Sequence, residues 1–430
     1  MKNARICIIG AGPSGIGAAK SLLDSGLRDL TIFDKNDRVG GNWIFDPRPG
    51  HSSVYETTHA ISSRRLSQYE GYPMPDDYPD FPSHDLLQRY FTAYADHFGV
   101  TQFVRFGTEV TAAVPQSDCG WLVTSSGPGG ERSERFDYLL AANGHHWDPR
   151  MPSYPGEFTG PFIHAHFYKS AARFAGQRVL VIGGGNSACD IAVEIGRIAR
   201  QCCISMRRGY YFFPKFLFGR PIDVLGSRIA GWPWGLRQRA AKYALRLAQG
   251  SNRRYGLPEP DHGPLEQHPT LNSELLYAIR HGRVQPRPDV ARFVGQEVHF
   301  TDGRSDVFDT VIAATGYRMS FPFLDPALID FSEAAEIQLY LNVFHPRHRS
   351  LYFIGLVQPV GCIWPLAELQ GKIVAREIKG AWSRPADIEA RIRRQTEGSL
   401  FRGSTTPRHA IEVDYHLYRR QLEHELRKVA

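Results

Sequence analysis

The apolar positions of this chain repeat one pattern twice. In residues 5–33 a continuous apolar run predicts a buried strand, a glycine-rich turn follows, apolar residues at helical spacing predict a helix, and a second apolar run predicts another strand. Residues 178–206 show the same order, with a strand at 178–182, a turn at 183–185, a helix at 186–200 and a strand at 203–206. The sequence therefore predicts an α/β fold with two dinucleotide-binding, Rossmann-like domains.

The other segments are less regular. Residues 44–82 are rich in Pro, Tyr, Ser and Asp and predict loops, followed by a helix at 83–97. The tail from residue 382 onward has the pattern of charged amphipathic helices. Short strands are predicted at 103–115, 120–126 and 136–142, within 284–315 and at 351–355. One more helix is predicted near 368–380.

Composition narrows the class of protein. The 430 residues are 42% hydrophobic and 22% charged, which is typical of a globular protein with two or three domains. The net charge of +7 comes without a long Lys/Arg run, which favours anionic cofactors over nucleic acid. The six cysteines include no CxxC and match no zinc-site spacing, so reduced thiols and no metal site are expected. The lack of a long apolar run predicts no signal peptide or membrane span, and a cytoplasmic location is expected.

The first glycine turn has the spacing of a dinucleotide-binding turn. Gly10, Gly12 and Gly15 stand in GxGxxG register between the predicted strand and helix. The first glycine permits the tight turn, the second lets a pyrophosphate approach the backbone, and the third lets helix and strand pack closely. Asp34 lies 24 residues after Gly10, where a carboxylate binds ribose hydroxyl groups.

The second turn differs at the same offset. Gly183, Gly185 and Ala188 repeat the register, and the residue 24 positions after Gly183 is Arg207, followed by Arg208. An aspartate at that strand end repels a 2′-phosphate, whereas an arginine pairs with it. The first site is therefore predicted to hold FAD and the second NADPH. The alternative is that both arginines are only solvated.

These assignments predict an FAD domain with an NADPH domain inserted in it. Residues 1–157 and 311–430 form the two parts of the FAD domain, the second with C-terminal helices, and residues 158–310 form the NADPH domain. Residues 209–262, crowded with aromatic and basic side chains, are interpreted as an insertion in it. This insertion either lines a channel for apolar substrates, touches a membrane, or is ordinary core beneath an amphipathic helix. We expect packing with some channel lining and no membrane contact.

Further motifs are spread along nearly the whole chain. They are GGNW at 40–43, HSSVY at 51–55, FxGxxxHxxxY at 158–168, GNSACDIA at 185–192, ATGY at 314–317, FPFL at 321–324, and the segments 354–359 and 365–371. Together they resemble the signature of the flavin-containing monooxygenase family. The combination is highly specific, whereas single pieces are not.

The resemblance implies an enzyme that uses FAD, NADPH and O2. In this family NADPH reduces FAD, O2 adds at flavin C4a to make a hydroperoxide, and its distal oxygen passes to a nucleophilic amine or sulfide. The signature ends in Tyr168-Lys169, where Baeyer–Villiger monooxygenases carry Trp followed by Pro or Asp. A small amine or sulfide is therefore the expected substrate, and His164 is expected to act structurally. The oligomeric state is left open.

The residues expected at the cofactors follow from the two turns and from the resemblance. They are Gly10, Gly12, Pro13, Ser14, Gly15, Asp34, Lys35, Gly41, Asn42, Trp43, His51, Val110, Thr315, Gln358, Gln370, Gly183, Gly185, Asn186, Ser187, Ala188, Arg207 and Arg208.

One departure from the family concerns catalysis. Counting back from the YPMP segment at 72–75, the family's Thr-Asn dipeptide falls on residues 60–61, so Ile61 takes the place of the asparagine. That asparagine is thought to hydrogen-bond the oxygenated flavin and NADP, and isoleucine has no donor. The candidates for a replacement donor are His59, Ser62 and Arg64. Packing, a turn or solvation explains each of them equally well.

Other classes stay open at this point. A Baeyer–Villiger monooxygenase would act on ketones instead. A flavin disulfide reductase is disfavoured by the missing CxxC. An NADPH oxidase that releases only peroxide, or a flavin redox sensor, is kept open by Ile61.

Overall fold

The computed structural model describes residues 4–48, 50–397 and 410–428, which contain strands and α-helices along the chain. The strands are β1 Ile6–Ile9, β2 Leu30–Phe33, β3 Val104–Arg105, β4 Glu109–Pro115, β5 Trp121–Gly127, β6 Gly130–Phe136, β7 Tyr138–Ala141, β8 Asp148–Pro149, β9 Gly156–Phe158, β10 Phe162–His164, β11 Arg178–Ile182, β12 Gln201–Ser205, β13 Phe212–Phe213, β14 Phe216–Leu217, β15 Arg220–Pro221, β16 Thr270–Leu271, β17 Gln285–Arg287, β18 Val290–Gly295, β19 Glu297–Phe300, β20 Ser305–Val307, β21 Thr310–Ala313, β22 Tyr317–Arg318, β23 Leu351–Phe353, β24 Gln358–Pro359 and β25 Glu412–Val413. The helices are α1 Pro13–Asp24, α2 Arg64–Ser67, α3 His84–His97, α4 Asn186–Ile195, α5 Ile222–Arg228, α6 Trp234–Gln249, α7 Leu275–Arg280, α8 Trp364–Ile378, α9 Ile388–Glu397 and α10 Tyr415–Arg427.

The chain forms two compact units. Unit 1 comprises the chain up to Phe45, Ser62–Asp148 and the chain from Arg318 onward, and unit 2 comprises Asp46–Ile61 and Pro149–Tyr317. The chain therefore passes from one unit to the other near residues 148 and 317, whereas the sequence predicts these boundaries at 157 and 310. From its position in the sequence, the segment Asp46–Ile61 is predicted to belong to the first domain. Its contacts instead group it with unit 2, whose other residues lie far along the chain.

The core of unit 1 is a parallel sheet in the order β23-β7-β1-β2-β3. β1 and β2 are buried along their whole length, which explains why their sequences are continuous apolar runs rather than alternating ones. α1 and α8 pack so closely that a Cβ on Gly371 would stand 2.7 Å from the Cα of Ala18. An antiparallel sheet, β4-β5-β6, contributes the fully buried Trp121 to the same unit.

Unit 2 repeats this plan around a parallel sheet in the order β10-β21-β11-β12-β17. The buried face of α4 packs in one apolar cluster with β11 and β12, and a second antiparallel group, β20-β19-β18, joins β9. Cys202 and Cys203 are adjacent in β12 and both are buried. Burial raises the pKa of both thiols, so neither has the character of a reactive thiolate.

Both predicted strand–helix–strand units are present, with shifted ends. The helix expected at 186–200 ends at Ile195, followed by Gly196, and the strand expected at 203–206 begins at Gln201. The helix expected near 368–380 begins at Trp364, four residues earlier. The segment 209–262 contains two helices, α5 and α6, with short strands. Within the described ranges, no helix is long and apolar enough to cross a membrane.

Candidate functional site

The first glycine turn lies at the carboxyl end of β1, which has β7 on one side and β2 on the other. Gly10 has a φ of +109°, and a Cβ there would stand 2.5 Å from the carbonyl oxygen of Ala142. A Cβ on Gly15 would stand 1.9 Å from the carbonyl oxygen of Gly10. α1 begins at Pro13 with Gly12 at its N-cap, so backbone rather than side chains forms this end. Such a cradle, where the strand order changes direction, suits a diphosphate.

Asp34, directly after β2, binds the backbone of this turn. Its carboxylate accepts the backbone N–H of Ala11 at 2.6 Å and that of Asn36 at 2.8 Å. Burial raises the pKa of Asp34, and the two N–H bonds counteract that rise. A carboxylate accepts about four hydrogen bonds, so it can also accept from ribose hydroxyls. Lys35 beside it is exposed, and its Nζ lies 5.2 Å from the ring centre of Trp147.

The GGNW segment lies directly on the first turn. Gly41 has a φ of +55°, and a Cβ there would stand 2.8 Å from the Cα of Gly12. Asn42 and Trp43 follow in a single helical turn, and the Trp43 ring packs edge-on against Trp364 at 5.8 Å. The fold thus brings the expected residues Gly12, Gly41, Asn42 and Trp43 together.

Gln370 was expected to contact a cofactor, but its side chain has a structural role. It is fully buried, its Oε1 accepts the backbone N–H of Gly355 at 2.8 Å, and its Nε2 donates to the Tyr418 hydroxyl at 2.7 Å. A Cβ on Gly355 would stand 2.2 Å from the Oγ of Ser14. Gln370 therefore holds the Gly355 turn against the start of α1. Gly355 is not among the residues expected at the cofactors from the sequence, although the motif segment 354–359 contains it.

Gln358 and Val110 lie elsewhere in unit 1. The Gln358 Oε1 lies 3.2 Å from Nε2 of His145, a residue whose pKa is lowered by burial. Val110, in β4, is buried in the apolar cluster that also contains Phe33 of β2. The side chain of Val110 is therefore part of the core, and its backbone is what a ligand could reach.

The second glycine turn repeats the geometry of the first. It follows β11, which lies between β21 and β12. Gly183 has a φ of +135°, and a Cβ there would stand 2.5 Å from the carbonyl oxygen of Ala314. α4 begins at Asn186 with Gly185 at its N-cap, and Ser187 in its first turn is exposed. This end of α4 also presents backbone N–H groups, the donors that bind a diphosphate.

Two side chains shape this second turn. The Tyr210 ring lies over Gly184, where a Cβ would stand 2.2 Å from the ring. The Asn186 side chain points to β16, where its Oδ1 accepts the backbone N–H of Leu271 at 2.7 Å. Ala188 is fully buried. Asn186 and Ala188 therefore support the shape of the turn, and their backbone N–H groups are what a phosphate would meet.

The two arginines after β12 differ in environment. Arg207 is exposed, two residues beyond the end of the strand. Arg208 is half-buried, with its guanidinium carbon 5.6 Å from the ring centre of Tyr210. Arg207 is therefore the more accessible partner for a phosphate.

Thr315 and His51 also lie in unit 2. Thr315 follows β21, the strand beside the second turn, and its hydroxyl donates to the carbonyl oxygen of Arg150 at 2.5 Å. His51 is half-buried in the segment Asp46–Ile61.

The candidate replacement donors near Ile61 each have a protein partner. Nδ1 of His59 lies 2.6 Å from the carbonyl oxygen of Thr57, and the ring is exposed. The Ser62 hydroxyl lies 2.8 Å from that of Ser67, and Arg64 donates to the carbonyl oxygen of Pro75 at 2.6 Å. These contacts within the protein are enough to explain the positions of the three side chains.

His164 is buried and bonded within unit 2. It is 1% exposed, its Nδ1 accepts the backbone N–H of His166 at 3.1 Å, and its ring packs edge-on against Tyr317 at 5.2 Å. Burial lowers the pKa of His164 to about 4, so the ring is neutral at pH 7. A neutral ring is required because a protonated Nδ1 could not accept a hydrogen bond.

His164→Asn is expected to weaken the pH dependence of stability. The histidine pKa is about 4 in the fold against 6.5 for the free side chain, so its contribution is present above pH 6.5 and is lost as pH falls through that window. Between pH 7 and pH 5 the loss from this residue amounts to about 2 kcal/mol of unfolding free energy. Asparagine keeps an acceptor for His166 without titrating. Urea unfolding at the two pH values measures the difference, and an equal drop in both proteins would contradict it.

No group of three or more His, Cys, Asp or Glu side chains in the part of the chain that the structure describes could hold a metal ion.

Comparison with known proteins agrees with this geometry. The family model described as flavin-binding monooxygenase-like matches residues 3–428. The chain belongs to this family. It is 36% identical to flavin-containing monooxygenase 5 of Rattus norvegicus, over 96% of this chain and 81% of that protein. It is 33% identical to flavin-containing monooxygenase 3 of the same organism, over 97% of this chain and 82% of that one.

Two solved structures share the fold of this chain. S-allyl-L-cysteine S-oxygenase from Allium sativum is 25% identical, with a TM-score of 0.72, covering 98% of this chain and 88% of that one. Cyclohexanone monooxygenase from Rhodococcus sp. Phi1, bound to NADP+, is 17% identical, with a TM-score of 0.71, covering 98% and 97%. The protein is thus an FAD-dependent, NADPH-using flavin monooxygenase with two Rossmann-type units. The backbone cradles at Gly10–Gly15 and Gly183–Gly185, which a Cβ would fill, fit two dinucleotides.

Proposed function

We propose that this protein transfers one oxygen atom from O2 to a nucleophilic nitrogen or sulfur of a small molecule, with FAD on the first glycine turn and NADPH on the second. The observation that carries the assignment of the cofactors is the pair of residues at the same offset from the two turns. A buried, backbone-bonded Asp34 follows the first, and an exposed Arg207 follows the second. The bound flavin supplies the redox chemistry that connects NADPH to O2.

In unit 1 the protein would bind and orient FAD. The N–H groups at the start of α1 would hold the diphosphate and Asp34 would accept hydrogen bonds from the ribose, while the backbone of Gly41 limits the space above Gly12. In unit 2 the start of α4 would hold the second diphosphate, and Arg207 would pair with the 2′-phosphate.

The choice of nitrogen or sulfur rests on Tyr168 and Lys169. The Tyr168 hydroxyl donates to Oε2 of Glu194 at 2.7 Å, and the Lys169 Nζ donates to the carbonyl oxygens of Ser52 at 2.6 Å and Val54 at 3.1 Å. A Pro or Asp side chain in place of Lys169, as in Baeyer–Villiger monooxygenases, has no ammonium group to donate to these carbonyl oxygens. The likeness to an S-oxygenase at 25% identity supports the same choice.

Measuring NADPH consumption and hydrogen peroxide together over a panel of amines, sulfides and ketones tests this function. We expect an amine or a sulfide to accelerate NADPH consumption and to lower the peroxide formed per NADPH. Turnover of ketones alone would instead show Baeyer–Villiger chemistry. Peroxide equal to NADPH with every compound would favour an NADPH oxidase.

The variant Ile61→Asn is the matched comparison in that assay. It restores the amide donor that the family carries at this position, so peroxide per NADPH should fall below the wild-type value. The removal of one donor from a catalytic site typically costs about 3 kcal/mol, which is enough to change this ratio measurably. An unchanged ratio would mean that Ile61 does not limit coupling.

A further inference from the structure

The segment Asp46–Ile61 belongs to unit 2, and its residues 52–57 are bonded to other residues of that unit, although both of its chain neighbours belong to unit 1. The Lys169 ammonium donates to the carbonyl oxygens of Ser52 and Val54, and the backbone N–H of Glu56 donates to the carbonyl oxygen of Lys169 at 2.9 Å. Lys169 is 4% exposed, so these bonds are made away from solvent. Ile61, at the family's asparagine position, is the last residue of this segment.

The same segment is bound to the helix that starts at the second glycine turn. The Tyr55 hydroxyl donates to Oδ2 of Asp190 at 3.3 Å, and the Thr57 hydroxyl donates to Oε1 of Glu194. Asp190 and Glu194 are four residues apart on α4, so they lie on one face of it. Any change in the position of α4 therefore acts on Tyr55 and Thr57 directly.

A second set of bonds connects the turn itself to Asp190. The Thr270 hydroxyl donates to the carbonyl oxygen of Gly184 at 2.9 Å, and the backbone N–H of Leu271 donates to Oδ1 of Asn186. The next residue, Asn272, donates from its side-chain amide to Oδ1 of Asp190 at 2.6 Å. The Asp190 carboxylate therefore accepts one hydrogen bond from Asn272, which follows the residues bonded to the turn, and one from Tyr55 in the segment.

We infer that Asp190 is a positioning residue that transmits dinucleotide binding at the second glycine turn to the segment Asp46–Ile61, through its bond to Tyr55. The inference rests on the proposed assignment of NADPH to unit 2. A ligand that binds the turn makes Gly184 and the start of α4 less mobile. Each hydrogen bond between the turn and Tyr55 then costs less conformational entropy when it forms, which orders the segment. Asp190 would so couple cofactor occupancy to the placement of Ile61.

Hydrogen–deuterium exchange of the FAD-loaded protein, with and without NADP+, tests this inference without turnover. In the wild type, NADP+ should slow exchange of the amides in 46–61 by about tenfold, which corresponds to about 1.4 kcal/mol of added order. In Tyr55→Phe/Thr57→Val, which loses only the hydroxyls that bind Asp190 and Glu194, the effect should fall below about threefold. If the double variant folds poorly, the single Tyr55→Phe variant replaces it. The slowing of exchange by NADP+ in this variant should lie between the wild-type value and threefold.

Tyr211→Phe is the matched control, because the Tyr211 hydroxyl also donates within unit 2, to the carbonyl oxygen of His262 at 2.9 Å, but outside this network. It should keep the wild-type protection. Calorimetric titration of NADP+ accompanies each exchange experiment. If the variants bind NADP+ and keep full protection of 46–61, or if the wild type binds NADP+ with no protection there, the role of Asp190 is overturned. If NADP+ does not bind the wild type, the assignment of unit 2 fails and the inference fails with it.

Discussion

Replacing Gly15 by alanine is expected to weaken FAD binding by about 100-fold. The new Cβ would stand 1.9 Å from the carbonyl oxygen of Gly10, and a backbone atom cannot rotate away as a side chain can. The strand and α1 must separate to relieve the overlap, which opens the turn that holds the diphosphate. Overpacking of this kind costs about 3 kcal/mol, and about 1.4 kcal/mol is a factor of ten in affinity. The ratio of flavin to protein absorbance after purification measures the loss.

Gly235→Ala is the control for that experiment. Gly235 lies inside α6, and a Cβ there would meet no atom within 4 Å. Alanine is also the better helix former by about 1 kcal/mol, so this variant should keep its FAD and its stability. Full FAD content in Gly15→Ala, or an equal loss in Gly235→Ala, would show that close packing at the first turn does not govern binding.

The second large effect is expected from Arg207→Ala, which should raise the KM for NADPH about 30-fold and leave the KM for NADH within about threefold. A charge-assisted hydrogen bond contributes about 2 kcal/mol, and only NADPH carries the 2′-phosphate that would make it. Arg207 is exposed just beyond the end of β12, whereas Arg208 is half-buried against Tyr210. Steady-state kinetics with both nucleotides measures the ratio.

Arg200→Ala is the matched control, because Arg200 is an exposed arginine at the opposite, amino end of the same strand. It removes the same charge from the same unit, so a general electrostatic effect of net charge would appear in both variants. Only a local contact would appear in Arg207→Ala alone. Equal changes for NADPH and NADH in Arg207→Ala would remove Arg207 from the phosphate site.

Much of the fold could be predicted because both strand–helix–strand units are local in sequence. The runs at Ile6–Ile9 and 179–182 are apolar because parallel strands are covered on both faces. The positions of Asp34 and Arg207 followed from counting along those units. Helix ends were less well predicted: α4 ends at Ile195, five residues before the predicted end.

The candidate site shows what counting along the sequence cannot reveal. Gln370 stands in a motif that resembles the family's flavin segment, but its amide is occupied by Gly355 and Tyr418. His59, Ser62 and Arg64 were chosen for their nearness to Ile61 in sequence, and each has a partner that the sequence could not reveal. A side chain's chemistry is visible in the sequence, whereas its partners are not.

The sequence by itself determined the fold class and the register of the two glycine turns, because each depends on residues within about thirty positions of one another. It also determined the family, because short local motifs along nearly the whole chain combine into one signature. The tertiary structure decided that Asp46–Ile61 belongs to unit 2 and that Asp190 binds Tyr55, a residue 135 positions away. Contacts at such separation depend on how packed elements meet in space. No local pattern of apolar and polar residues encodes them.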